Sequence, residues 1–230
     1  MWSWKPRLCY ITDRRSLEPR PVFPVIQGAI EAGIDLVQIR EKDLPTLGLL
    51  LLVEAAVEAT RGPGPSGAVV SESVGVVVND RLDVALAAGA HGVHLGGKSM
   101  PPEKVRAAVP ALDQAFSVGV SCHSAEDVLA AEAAGADYAL LGPIFEPASK
   151  LSHGFPLGLG TLGEAARGSQ IPLLALGGIT PERVRSCLEA GATGIAGISI
   201  FQDCTCVAER VRELKRAIAK IDGVRAGPGF

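Results

Sequence analysis

The sequence has few aromatic residues and little net charge, and its cysteines form no paired motif. Aromatic side chains make up 4% of the 230 residues, and the formal net charge is −3. The five cysteines are odd in number and include no C-x-x-C pair, which argues against a disulfide framework or a zinc site. No basic surface alternates with aromatic residues, so nothing indicates nucleic-acid binding.

Long apolar segments are also missing. No uncharged apolar run is long enough to span a membrane, and the first seven residues lack the apolar stretch of a secretory signal. With the unpaired cysteines, these absences predict a cytoplasmic protein without a membrane partner. The sequence leaves the oligomeric state open, a homo-oligomer included.

The sequence does contain a repeated pattern of Ala-Gly followed by a short apolar run. The pattern occurs four times, at Gly33, Gly89, Gly135 and Gly191. A helix that ends at a glycine and leads into a buried strand is one step of an α/β fold. The intervals between these glycines are 56, 46 and 56 residues. Each is close to two βα units of about 25 to 30 residues, so the four repeats predict eight units.

Eight short apolar runs fit the strands of such a barrel. They lie near 8–12, 36–39, 75–78, 92–95, 117–120, 138–141, 173–176 and 194–198. Most show no polar alternation, as expected for parallel strands buried on both faces. We therefore expect an α/β fold, a single-domain (β/α)8 TIM barrel over residues 1–222, followed by a disordered tail over 223–230. An open doubly wound sheet is the alternative, but no glycine-rich fingerprint follows the first strand.

Polar residues follow these strands at their carboxyl ends, where barrels of this kind build active sites. The cations Arg40, Lys42 and Lys150 indicate an anion site, unless they pair with the acidic residues beside them in the sequence. Asp80 is a candidate Mg²⁺ ligand or the N-cap of the next helix. His123 is a candidate acid/base residue or a loop histidine that bonds to the backbone.

Glycines near the last two strands predict a second anion site. Gly177 and Gly178 follow the seventh strand, and Ser199 follows the eighth. Loops at these two places form the usual phosphate site of such barrels, where backbone N–H groups face the ligand. The alternative is an ordinary turn between a strand and a helix.

The ordered segments VQIREKD (37–43), VNDR (78–81), GVHLG (92–96) and ALGGI (175–179) resemble the thiamine phosphate synthase and TenI-type thiazole tautomerase superfamily. The resemblance runs from Tyr10 to about Phe201. It implies an enzyme of thiamine biosynthesis with small phosphorylated substrates. The synthase joins hydroxymethylpyrimidine diphosphate to thiazole phosphate and releases thiamine phosphate and diphosphate.

The resemblance also implies roles for the matching positions. The diphosphate would be held by Gln38, Arg40, Lys42, Asn79, Ser121 and Lys150. Asp80 would bind Mg²⁺, and Gly178, Ile198 and Ser199 would hold the thiazole phosphate. On this reading Ser121 and Lys150 contribute to catalysis.

The sequence departs from the synthase pattern in two places. Ser99 stands where the family has a second Mg²⁺-binding aspartate, and Lys98 before it would offset part of the diphosphate charge. Pro147 and Ser149 replace two threonines before Lys150, within a loop 145–157 whose arrangement the sequence does not reveal. These changes favour two alternatives, a TenI-type tautomerase using His123 or a non-catalytic binder of thiamine intermediates. The retained Arg40, Lys42, Asn79 and Asp80 favour the synthase.

Overall fold

The structure is a computed structural model that describes residues 5–62, 74–109, 116–146 and 155–225. Eight parallel strands close into a barrel in sequence order, and the last strand pairs with the first. The strands are Leu8–Ile11 (β1), Leu36–Ile39 (β2), Gly75–Asn79 (β3), Gly92–Leu95 (β4), Ser117–Cys122 (β5), Tyr138–Leu141 (β6), Leu173–Leu176 (β7) and Gly194–Gly197 (β8).

Helices connect the strands around the outside of the barrel. They are Arg14–Leu17 (α1), Val22–Glu31 (α2), Thr46–Arg61 (α3), Leu82–Ala87 (α4), Pro102–Ala108 (α5), Ala125–Ala133 (α6), Gly158–Gly168 (α7), Val184–Glu189 (α8), Ser199–Gln202 (α9) and Val207–Arg225 (α10). The predicted (β/α)8 barrel is confirmed. The last helix continues three residues past the predicted boundary at 222, and 226–230 lie outside the described residues. Over the described parts of the chain, no helix has both the length and the apolar character needed to cross a bilayer.

Four helices end at the glycines of the Ala-Gly repeat, each with backbone angles in the left-handed region. The φ angles are 79° at Gly33, 65° at Gly89, 89° at Gly135 and 109° at Gly191. After α2, the N–H of Ile34 donates to the carbonyl of Ala29 at 3.0 Å, which closes the helix in the Schellman pattern. A side chain at these glycines would be strained, so the repeat follows directly from how the helices stop.

The buried residues form two clusters on opposite faces of the strands. Within β1, Cys9 and Ile11 face the barrel interior, while Leu8 and Tyr10 pack outwards with the helices. The interior cluster also contains Leu36, Val77, Tyr138, Leu140, Leu174 and Ala196. A Cβ atom at Gly119 would lie 2.0 Å from Cζ of Tyr138, so only glycine leaves room there for the tyrosine ring.

Candidate active site

The candidate residues that the structure describes gather at one rim of the barrel. Because all strands are parallel, the loops that follow them emerge at the same end. Gln38, Asn79 and Ser121 lie near the ends of β2, β3 and β5, and Gly178 and Ile198 come directly after β7 and β8. The candidates Ser149 and Lys150, with Pro147 and most of the 145–157 loop, lie outside the described residues.

A row of hydrogen bonds runs along the rim from β2 to β4. The Gln38 Nε2 donates to Oδ1 of Asn79 at 3.0 Å, and the Asn79 Nδ2 donates to Oδ2 of Asp80 at 2.6 Å. The hydroxyl of Ser99 and the N–H of Gly96 donate to Oδ1 of Asp80, the latter at 3.3 Å. Gln38 is 2% exposed, and its Oε1 has no partner among the described residues. Gln38 therefore acts in this row through its Nε2 donor, which orients Asn79.

Asp80 does not cap the helix that follows it. Its φ angle is +62°, in the left-handed region, and its carboxylate bonds to Asn79, Gly96 and Ser99. The N-cap position of α4 belongs to Arg81, which makes no side-chain capping bond. The N-cap interpretation of Asp80 is therefore wrong, and the strained backbone turns its carboxylate towards the loop after β4.

The chemistry of the residues around Asp80 limits how a metal would bind. In the described parts of the chain, no group of three His, Cys, Asp or Glu side chains is arranged to hold a metal ion. Ser99 bonds to Asp80 and supplies a hydroxyl where a second carboxylate would stand. Mg²⁺ is commonly held by one or two carboxylates together with phosphate oxygens of the substrate. The site therefore fits Mg²⁺ only when a ligand supplies most of the oxygens.

A second polar row crosses the barrel interior. The hydroxyl of Tyr138 lies 3.1 Å from Nδ1 of His94, and Nε2 of His94 lies 2.9 Å from Oγ of Ser121. Burial lowers the pKa of His94 to about 3, which keeps its imidazole neutral at neutral pH. A neutral imidazole donates at one nitrogen and accepts at the other, so the row has a direction. Sequence reasoning missed Tyr138. It could have been noticed as the aromatic first residue of an otherwise aliphatic strand.

His123 is exposed at the rim, beyond the end of β5. Its Nδ1 lies 2.7 Å from the carbonyl oxygen of Gly142, which can only accept, so Nδ1 carries the proton. Its backbone N–H donates to Asp127 at 2.8 Å. His123 therefore bonds to the backbone, as one of its two sequence interpretations has it, and the acid/base interpretation stays a prediction.

Acidic residues beside the candidate cations are engaged elsewhere. Glu41 is buried and accepts the backbone N–H of Arg14, and Asp43 pairs with Arg14 and with Arg15. Within the described residues, neither Arg40 nor Lys42 forms an ion pair. The interpretation that these two cations pair with Glu41 and Asp43 is wrong. Lys98, exposed in the loop after β4, likewise has no ion pair with a described residue.

The loops after β6 and β7 lie in direct backbone contact. A Cβ atom at Gly177 would be 2.6 Å from Cα of Pro143, and one at Gly178 would be 2.7 Å from the carbonyl oxygen of Glu146. Arg183, which sequence reasoning missed, donates to the carbonyl of Gly178 at 2.6 Å. Its guanidinium carbon also lies 4.6 Å from the centre of the Phe145 ring. These contacts hold the Gly178 backbone against the loop after β6, and the pairing of β7 with β8 places the start of α9 after the neighbouring strand.

Comparisons with known proteins agree with this architecture. A family model described as thiamine monophosphate synthase matches residues 8–201. The chain is 38% identical over 189 residues to the thiamine-phosphate synthase of Roseiflexus castenholzii, covering 82% of this chain and 78% of that protein. It is 37% identical over 219 residues to that of Methanoculleus marisnigri, covering 94% and 98%. A solved thiamine phosphate pyrophosphorylase from Pyrococcus furiosus superposes with a TM-score of 0.80 at 32% identity, covering 94% of this chain and 97% of that one.

Proposed function

The chain belongs to the thiamine monophosphate synthase family, and on that basis we propose that it joins hydroxymethylpyrimidine diphosphate to thiazole phosphate. The products are thiamine phosphate and diphosphate. The bond between the pyrimidine methylene carbon and the diphosphate oxygen breaks, and its electron pair leaves with the diphosphate. The thiazole nitrogen supplies the pair for the new carbon–nitrogen bond. The observation that carries the proposal is the row Gln38–Asn79–Asp80 beside two cations that have no described acidic partner.

The chain's own residues stabilise the charge that collects on the departing diphosphate. Arg40 offers a planar set of donors and Lys42 a point charge, and both act most strongly on the charge that develops as the bond breaks. Ser121 contributes a hydroxyl donor if the phenol of Tyr138 donates to Nδ1 of His94. The ring proton then lies on Nε2 and bonds to Oγ of Ser121, leaving the serine hydrogen free for the ligand. Lys98 adds charge from the loop after β4, and Ser149 and Lys150 complete the proposed set.

Mg²⁺ is part of the proposal as a cofactor held by Asp80. When bound, the metal would neutralise diphosphate charge as a Lewis acid. Asp80 would be the protein's carboxylate ligand, with Asn79 orienting it through the 2.6 Å hydrogen bond. Ser99 bonds to the same carboxylate and adds no negative charge, so the remaining ligands would come from the diphosphate and water.

The thiazole phosphate would lie on the opposite side of the rim. Backbone N–H groups of Gly178, Ile198 and Ser199 would donate to its phosphate oxygens, as in the usual phosphate site of such barrels. Because the Gly178 backbone is packed against the loop after β6 and bonded to Arg183, its N–H is held in place before the ligand binds. The departing diphosphate and the thiazole phosphate would then be held by different loops.

We also propose that the enzyme is located in the cytoplasm. The five cysteines are free, which suits the reducing cytoplasm. Self-association into a homo-oligomer is tested by sedimentation equilibrium of the purified protein.

A two-substrate assay tests the proposed reaction. Purified protein with both substrates and Mg²⁺ should yield thiamine phosphate and diphosphate in equal amounts, detected by chromatography. Asp80→Asn should lower the rate strongly, since it removes the carboxylate proposed to hold the metal. If no product forms while an active synthase assayed in parallel turns over, the proposal is wrong.

His123 supports a second candidate function, the thiazole tautomerase reaction of the same superfamily. Its Nδ1 is bonded to the carbonyl of Gly142, so Nε2 is available to take a proton from a ligand. A tautomerase would incorporate solvent deuterium into the thiazole carboxylate phosphate, and His123→Ala would abolish this. Deuterium uptake at an equal rate in wild type and His123→Ala would exclude His123 from that role.

A further inference from the structure

Glu41 is a buried carboxylate that lies between two cations, Arg40 and Lys42, in the sequence. Its side chain is 2% exposed. Both of its oxygens accept the backbone N–H of Arg14, at 3.1 and 3.2 Å, and Thr12 also hydrogen-bonds to it. Burial raises the pKa of Glu41, while the bonds from Thr12 and Arg14 act in the opposite direction. A carboxylate buried at a desolvation cost and bonded to a loop backbone has a structural task at that place.

Thr12 connects this carboxylate to the backbone of the neighbouring cation. The Oγ1 of Thr12 accepts the N–H of Arg40 at 3.0 Å, and the N–H of Thr12 donates to the carbonyl of Gln38 at 3.0 Å. The Thr12 hydroxyl hydrogen is then left for Glu41. Thr12 is fully buried, so these bonds are shielded from water. The position of the Arg40 backbone therefore depends on Glu41 through one hydroxyl group.

Arg14 and Arg15, at the start of α1, also neutralise the second acidic residue of this segment. Asp43 accepts from Nε of Arg15 at 2.9 Å and pairs with Arg14 as well. The acidic and the basic residues of segment 40–43 therefore differ in their contacts. The two carboxylates bond to residues 12–15, at the end of β1 and the start of α1, and Arg40 and Lys42 remain without a described acidic partner.

We propose that Glu41 is a positioning residue for the diphosphate subsite. It fixes the loop after β1 against the loop after β2, and through Thr12 it sets the backbone from which Arg40 and Lys42 reach the ligand. This inference rests on the proposed function, because it takes these two cations as the ones that bind a diphosphate. Glu41 itself does not touch the substrate.

The sign of one measurement separates this role from a simple charge effect. A negative charge near an anion site weakens anion binding, so a purely electrostatic Glu41 would make Glu41→Ala bind diphosphate more tightly. A positioning role predicts the opposite, because the alanine variant loses the acceptor for Arg14 and the bond from Thr12. Glu41→Gln keeps an acceptor oxygen without the charge, so it should rescue binding.

Titration calorimetry with inorganic diphosphate as the probe tests the inference. Glu41→Ala should raise the Kd for diphosphate about tenfold, because it removes the hydrogen bonds from Arg14 and Thr12. Glu41→Gln should stay within about twofold of wild type. Asp35→Ala is the matched control, since Asp35 accepts the N–H groups of Arg7 and Leu8, at 3.0 and 2.8 Å, at the other end of the barrel. It should lose stability and keep the wild-type Kd.

Thr12→Val provides a charge-neutral second test, which decides the matter if Glu41→Ala does not fold. It removes the hydroxyl between Glu41 and Arg40 and should raise Kd about fivefold. The inference is overturned if Glu41→Ala, or Thr12→Val in its place, binds as tightly as wild type, if Asp35→Ala weakens binding equally, or if wild type does not bind diphosphate. If wild type binds diphosphate but forms no thiamine phosphate, the proposed function fails while the role of Glu41 is still decided by the variants.

Discussion

Replacing His94 by glutamine should remove a loss of stability that the protein suffers in mild acid. Burial lowers the pKa of His94 from 6.5 to about 3, and the charge of Asp80 opposes this only in part. Between these values the unfolded chain binds a proton that the native protein does not, so unfolding becomes easier as the pH falls. From pH 7 to pH 5, His94 alone should lower the free energy of unfolding by about 2 kcal/mol.

Glutamine at position 94 has a donor and an acceptor for Ser121 and Tyr138, but it does not titrate in this range. Urea unfolding followed by circular dichroism at both pH values gives the difference in unfolding free energy between wild type and His94→Gln. The unfolding free energy of wild type minus that of His94→Gln should be about 2 kcal/mol lower at pH 5 than at pH 7. Tyr138→Phe keeps the imidazole and should keep the wild-type pH dependence. An equal difference at both pH values would mean that native His94 takes up the proton, and the burial argument would be refuted.

Three further changes give distinct outcomes. Gly119→Ala places a methyl group inside the ring of Tyr138 on the neighbouring strand and should cost about 2 kcal/mol or more of unfolding free energy, whereas Gly97→Ala, in open space, should cost less than about 0.5 kcal/mol in the same urea titration. Ser99→Asp puts a second carboxylate beside Asp80 and should lower the Kd for Mn²⁺ at least about tenfold, as measured by electron paramagnetic resonance. Unchanged binding would contradict the fit of this pair to a metal. Arg183→Ala removes the bond to the Gly178 carbonyl. In steady-state kinetics it should raise KM for thiazole phosphate about threefold to tenfold and leave KM for the pyrimidine diphosphate unchanged. An equal rise in both KM values would contradict a local effect.

The barrel could be predicted from the sequence because its signals are local. The eight apolar runs correspond to the eight strands, and the four repeat glycines have the positive φ that ends a helix. Two strands extend beyond their predicted ends, to Asn79 and to Cys122. In both cases the extra residues are polar or lie next to polar ones, so the apolar pattern stops before the backbone pairing does.

The sequence also predicts which residues lie at the rim, but it does not predict which of their side chains hydrogen-bond to each other. A residue at the end of a parallel strand lies at the rim whatever its neighbours are, which places Asn79 and Ser121 correctly. The partner of each side chain depends on register between strands that are distant in the sequence. Gln38 reaches Asn79 because β2 and β3 lie side by side in this register, and His94 reaches Tyr138 over β5, where Gly119 lies in register between them. The burial of Glu41 was hidden for the same reason, since its partner lies in the loop after another strand.

The pairing of β1 with β8 has a consequence for synthesis. β1 bonds to β2 on one side and to β8 on the other, so its second side has no partner until residues 194–197 leave the ribosome. The nascent chain therefore carries two open sheet edges for most of its translation, and open edges invite pairing with other chains. Expression at a lower temperature, or with a chaperone that binds unpaired strands, should therefore increase the yield of folded protein.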